Sequence, residues 1–209
     1  MWTRAELKEM AKNALNKQYW LCVGVLFVQN AIIAAVSAMT FGIAALLVVG
    51  PLIVGMNFFF MSSFFGGNPT FEQMFTKGFV PYGRKLGGML WMFLFIWLWS
   101  LLFLIPGIIK SFSYAMTPYI LGDCPNVKAQ DALKLSMRMM HGYKGELFVL
   151  YLSFIGWMIL SSFTCGLLYV LYVGPYIEMT KAGFYGKVKT LALQKNIISP
   201  QELNPPVEY

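Results

Sequence analysis

The chain has 209 residues, of which 58% are hydrophobic, 17% aromatic and only 12% charged, about half the charged share of an ordinary soluble domain. A soluble fold of this length could not hide so much apolar surface, so the expected class is a membrane protein. The net charge of +7 does not point to nucleic acid: the basic residues cluster between apolar runs, at Arg4 to Lys17, Lys77 to Lys85, Lys128 to Lys144 and Lys181 to Lys195, with Lys110 alone outside, the distribution of the positive-inside rule.

Taken in chain order, residues 3–17 are expected to form an amphipathic surface helix. Thr3 and Glu6 have capping-box spacing. Leu7, Met10, Ala11, Ala14 and Leu15 share one face, and Lys8, Glu9, Lys12 and Asn13 the other. Such a helix lies on a membrane with its lysines near anionic headgroups. The basic start, the apolar run and Val36-Ser37-Ala38 imitate a signal peptide, but the long charged region holds Glu6 and Glu9, so the run is read as an uncleaved first span. From Gln18 to Phe71 there is no charged residue. At about 20 residues per span this stretch holds two, over 20–38 and 42–65, with a break near Thr40 to Gly42. Gly66-Gly67-Asn68-Pro69 ends the second, and a short amphipathic piece follows behind Thr70.

Arg84 and Lys85 anchor the next entry. One helix over 86–122 would be about 55 Å long, against roughly 30 Å of hydrocarbon, and would place Lys110 near mid-bilayer. A turn at Pro106-Gly107 removes both problems. It gives spans over 87–105 and 108–122 and leaves Lys110 free to snorkel. A kinked long helix or a re-entrant loop is the alternative. Residues 126–141 form a second amphipathic surface helix, and 145–163 and 166–186 are the last two spans, divided at Thr164-Cys165-Gly166. Residues 1–190 make a single integral domain, and 191–209 a mobile cytoplasmic tail. The expected fold is all-α: a polytopic membrane helical bundle of about six transmembrane helices plus two amphipathic surface helices, with both termini cytoplasmic.

Tyr19 to Phe60 lies over Tyr143 to Phe184 without a gap, at an offset of 124 residues. Leu47 meets Leu171, and Val49-Gly50-Pro51 meets Val173-Gly174-Pro175. The spacing suggests a parallel internal repeat of surface helix and two spans, with chance similarity of glycine-rich apolar runs as the alternative.

Pro51 and Pro175 fall inside spans, where each frees a backbone carbonyl; matched kinks either build a central gate or merely shape packing. Glu178 and Lys181 stand one turn apart within the last span, as functional ionisable groups or as a mutual ion pair. Together with Asn57 these are the candidate transport or gating residues. Gln29, Asn30 and Asn57 are expected to hydrogen-bond between helices. Lys134, Arg138, His141 and Lys144 make a candidate cytoplasmic surface for a partner or lipid headgroups. Asp123 and Asp131 are caps or partners for basic residues. Cys22, Cys124 and Cys165 read as small buried hydrophobes. No HExxH, GxSxG or Walker motif is present, so no enzyme, cofactor or metal is expected.

The segments "WSLLFLIPGIIKSFSYAMTPYIL" (99–121), "ALKLSMRMMHGYKGELFVLYLSFIGWMIL" (132–160) and "VGPYIEMTKAGFY" (173–185) resemble the bacterial integral membrane proteins catalogued as domain of unknown function 975. The resemblance runs from the basic N-terminal helix to Tyr185. It implies a multi-pass protein of the bacterial cytoplasmic membrane and supplies no catalytic residues. Two functions compete: a small-solute, peptide or lipid transporter or transporter subunit, and a non-catalytic accessory, assembly or immunity-type partner of another membrane protein.

Overall fold

The computed structural model describes residues 3–39, 45–102, 104–164 and 166–205. The expected break at Thr40 to Gly42, and Cys165, lie outside the described residues. Among those described the chain is helical and holds no strand. In order the helices are α1 (Arg4–Lys17), α2 (Tyr19–Met39), α3 (Ala45–Phe64), α4 (Phe71–Phe79), α5 (Tyr82–Leu102), α6 (Leu104–Tyr114), α7 (Thr117–Asp123), α8 (Ala129–Met139), α9 (Lys144–Leu152), α10 (Ile155–Phe163), a π-helical turn (Tyr169–Val173), α11 (Gly174–Gln194) and α12 (Pro200–Leu203).

Local chemistry sets several ends. The Thr3 hydroxyl accepts from the Glu6 amide and the Glu6 carboxylate from the Thr3 amide, so the expected capping box forms. Thr70 accepts from the Gln73 amide at the start of α4. Arg84 and Lys85 close two helix C-termini, where carbonyls lack partners. Arg84 donates to the carbonyls of Leu121, Cys124 and Val127 at the end of α7. Lys85, almost fully buried, donates to those of Lys77 and Val80 at the end of α4. Expected to anchor the entry of the next span, the two residues also join helices.

Three helical stretches are both long and apolar enough to cross a membrane among the described residues: Tyr19–Met39, Leu47–Phe64 and Lys144–Phe163. The six-span expectation is met in part. The span expected at 108–122 is broken at Ala115-Met116 into α6 and α7, and the 11 residues of α6 rise only about 16 Å. The span expected at 145–163 is met by the stretch Lys144–Phe163, with a turn at Ser153-Phe154 between α9 and α10. The last begins with the π turn and runs on to Gln194. Exposed apolar side chains gather on α2, α5, α6 and α10, among them Phe27, Trp97, Leu101, Ile105 and Phe163, a surface suited to lipid.

α5 and α6 do form a hairpin: a Cβ on Gly107 would stand 2.2 Å from Ser100 Oγ. α5 ends at Leu102 and α6 begins at Leu104, so Pro106-Gly107 does not lie between the two helices. Pro106 and Gly107 occupy the first turn of α6 instead, where a missing amide is harmless. Lys110 is bracketed by aromatic rings, its ammonium 4.9 Å from the centroid of Trp99 and 5.9 Å from that of Tyr114. α3 is central, packed against α1, α2, α4, α5, α7 and α11. Gly55 and Gly78 let the backbones of α3 and α4 touch. α1 is not a free surface helix, because Leu7, Ala11, Ala14 and Leu15 are buried on its contacts with α11 and α3.

The expected mobile tail is ordered to Pro205. Ser199 and Glu202 form a second capping box behind Pro200, and Ile198 and Leu203 are buried. The Arg138 guanidinium donates to the Glu202 carboxylate and the Ile197 carbonyl, and Asn126 to Asn204 at 2.9 Å. Arg138, then the Ser199 amide, holds the Glu202 carboxyl below its usual value near 4.5. A depressed carboxyl stabilises fully above its unfolded value and loses that contribution as pH falls through the folded one. A spin label at Gln201→Cys should therefore stay immobile down to about pH 4.5 and loosen below it, whereas Glu202→Gln should loosen it at neutral pH.

Candidate functional site

Pro118 has no amide to continue the α6 ladder, so the helix stops before it. Ser136 of α8, fully buried, fills the gap: its hydroxyl donates to the Ser113 carbonyl at 2.8 Å and accepts from the Met116 amide at 3.2 Å. α7 then begins at Thr117, with Tyr119 stacked on Tyr185 of α11 at 5.1 Å between ring centroids. Tyr185 donates to Asp123 at 2.8 Å, and Lys189 reaches the same carboxylate oxygen. Asp123 thus serves as a partner for a basic residue.

Beside this break lies a cavity of about 400 Å³. It is lined by Asn57 of α3, Ser111 of α6, Tyr119 of α7, Tyr151 of α9 and Lys181 of α11, with Ile53, Phe112 and Pro118; the Asn57 Oδ1 and Tyr119 hydroxyl oxygens themselves are sealed from it. Two of the three candidate spans contribute, through Asn57 and Tyr151. Asn57 and Tyr119 are 2% and 1% exposed. Among the described residues neither Asn57 Oδ1 nor the Tyr119 hydroxyl has a hydrogen-bond partner, although buried polar atoms are nearly always paired. The Lys181 ammonium donates to both oxygens of Glu178, each at 2.8 Å. It therefore has one N–H left.

The structure thus joins Asn57 and Lys181 at one cavity, with Glu178 paired to Lys181. Pro51 and Pro175 are buried outside its wall. Each proline frees the carbonyl four residues earlier, and a tyrosine claims it: Tyr82 donates to Leu47 at 3.1 Å, and Tyr19 to Leu171 at 2.8 Å. Leu47 and Leu171 are the matched positions of the sequence repeat, so the correspondence extends to how each kink is satisfied. The kinks differ in form, since Pro51 lies within α3 and Pro175 follows the π turn. Tyr82→Phe should cost about 1 kcal/mol in the wild type and almost nothing in Pro51→Ala, where the helix supplies its own donor. Thermal midpoints of the four proteins in detergent test this coupling.

Other expected polar roles are corrected. Asn30 donates within its own helix, to the Leu26 carbonyl at 2.7 Å, rather than across helices. Gln29 is buried with its Oε1 unpartnered among the described residues. Cys22 and Cys124 are buried as expected. On α8, Lys134 pairs with Asp131 at 3.2 Å in solvent, and His141 is exposed while Lys144 is half-buried. Arg138 is engaged with the tail.

Tyr119, Pro118 and Ser136 escaped sequence reasoning. Thr117-Pro118 inside an expected span is a helix-stop signal. Ser136 stands among Ala132, Leu133 and Met139 on the buried face of α8, where a hydroxyl needs a partner. The family described as "Protein of unknown function (DUF975)" matches residues 28–192, which include every residue of the cavity wall. No curated protein and no solved structure matches the chain.

Proposed function

Because the chain belongs to the DUF975 family, whose description assigns no activity, we propose its function from the site: a multi-pass membrane protein that binds a small amphiphilic solute, a peptide or a lipid in the cavity and passes it across the bilayer. The observation that carries this reading is Lys181, an ionisable residue with one N–H free, in the wall of a cavity lined from α3, α6, α7, α9 and α11. An ammonium kept among apolar helices at such a space suits a polar guest better than close packing does.

In this reading the α5–α6 hairpin and the π turn with α11 are membrane-embedded beside the three apolar spans, completing six. The basic residues of α1, α8 and the end of α11 hold both termini at the cytoplasmic face of a bacterial membrane, where exposed lysines such as Lys134 meet anionic headgroups. Binding and release are the acts assigned to the wall; no catalytic step, cofactor, metal or nucleic acid is.

The test is lipid movement in vesicles carrying a fluorescent phospholipid that dithionite bleaches from outside. Vesicles with the protein should lose the inner-leaflet signal, and those with Asn57→Leu should lose it several-fold more slowly. Bleaching that stops at the outer leaflet, as in protein-free vesicles, contradicts transport of this class and leaves the accessory role as the better reading.

A further inference from the structure

Residues 198–205 are a strap appended to the bundle. The family match stops at residue 192, and α11 ends before the strap begins. Asn196 takes the left-handed conformation at φ 53°, the Ile197 amide donates back to the Ala192 carbonyl at 2.9 Å, and such a turn is a common helix stop. Lys195 fixes the hinge by donating to the Tyr143 hydroxyl at 2.9 Å. Past the hinge the strap has three anchors. Ile198 and Leu203 are buried. Asn204 accepts from Asn126. Glu202 accepts from Arg138, but 46% of the Arg138 side chain and 40% of that of Glu202 are exposed, and an ion pair so open to water holds modestly.

A groove of about 720 Å³ runs beside the strap, lined by Lys128, Lys134 and Arg138 and by the strap's Glu202 and Pro205. Asp131 also lines it, and Lys134 takes that carboxylate at 3.2 Å. Among the described residues Glu202 is the carboxylate that reaches Arg138. Lifting the strap therefore leaves a guanidinium without its anion, next to the apolar seat that Leu203 vacates. That pairing fits a carboxylate followed by a large apolar side chain. We propose that this face of α8 docks an acidic peptide segment of a partner protein, a Glu or Asp followed by a large apolar residue, and that Glu202-Leu203 of the strap holds the face shut by occupying the same place. The inference does not depend on the cavity or on transport.

The experiment is fluorescence anisotropy with a labelled synthetic peptide of residues 197–205, added to the full chain in detergent. The tethered strap competes at an effective concentration on the order of millimolar. The peptide should therefore bind the double variant Glu202→Gln, Leu203→Ser at least about tenfold tighter than it binds the wild type. Adding Arg138→Glu to that variant should weaken binding roughly tenfold by trading attraction for repulsion, and a peptide carrying Glu202→Lys should recover it. Equal binding to the wild type and the double variant shows that the strap guards nothing and overturns the proposal. No binding to either, or binding indifferent to Arg138→Glu, overturns the docking face itself. If the double variant ignores the peptide but retains added phosphatidylglycerol through purification, the face is a lipid surface and the peptide site is likewise overturned.

Discussion

Lys181→Met should lower stability by about 3–5 kcal/mol, whereas Glu178→Leu combined with Lys181→Met should lose only a fraction of that. Glu178 and Lys181 are mostly buried, with 12% and 22% of their side chains exposed. Their ion pair is two hydrogen bonds of 2.8 Å from one ammonium to one carboxylate. Among the described residues Lys181 is the cation that reaches the Glu178 carboxylate, so removing Lys181 alone strands that carboxylate. Removing both partners strands nothing, and packed apolar side chains of similar volume replace a buried pair at little cost. Thermal midpoints in detergent would show this asymmetry directly. Equal losses in the single and double variants would mean that the pair matters for shape rather than charge.

Gly55→Leu should abolish the folded protein, and Gly55→Ala should cost about 3 kcal/mol or more. A Cβ at position 55 would lie 2.0 Å from the Met74 carbonyl oxygen, and one at Gly78 would lie 2.7 Å from that of Pro51. Both obstacles are backbone, so no side chain can swing aside. α4 would have to leave α3, taking with it the Lys85 contacts that close its C-terminus. Gly24→Ala is the control: nothing stands within 4 Å of its added Cβ, and in a helix alanine is favoured over glycine. It should leave folded yield unchanged or raise it, while Gly55→Ala lowers it.

Much of the fold was legible because it rests on local chemistry. The Thr3 capping box, the two charge-free helices behind it and the α5–α6 reversal follow from spacing and length alone. What hydropathy does not register is a helix that stops and restarts within an apolar run. α6 and α7 read as one span until Pro118 is weighed against the ladder it interrupts, and the repair comes from Ser136, 18 residues further on. α9 and α10 break at Ser153-Phe154 with no proline to announce it. The tail was misread for the opposite reason. Its prolines suggested disorder, although Ser199-Pro200-Gln201-Glu202 is a capping box with proline at the first helical position, where proline is favoured.

The site was legible only residue by residue. Asn57, Glu178 and Lys181 stand out as polar groups in apolar spans, but their meeting with Tyr119 depends on where α7 turns, a tertiary outcome that no local pattern carries. Pro51 and Pro175 stood out equally and proved to shape helices beside the cavity, their freed carbonyls taken by Tyr82 and Tyr19.

Central to the proposed function is a cavity open to solutes. Its most direct test is thiol accessibility in a background lacking Cys22, Cys124 and Cys165, with single substitutions Asn57→Cys and Ser111→Cys in the wall and Phe59→Cys as a packed control, fully buried on the same helix as Asn57. A small membrane-impermeant thiol reagent, applied to opened membranes, should label positions 57 and 111 and leave 59 untouched. If 57 and 111 resist labelling as 59 does in folded protein, the wall is dry, and the cavity has no part in binding or transport.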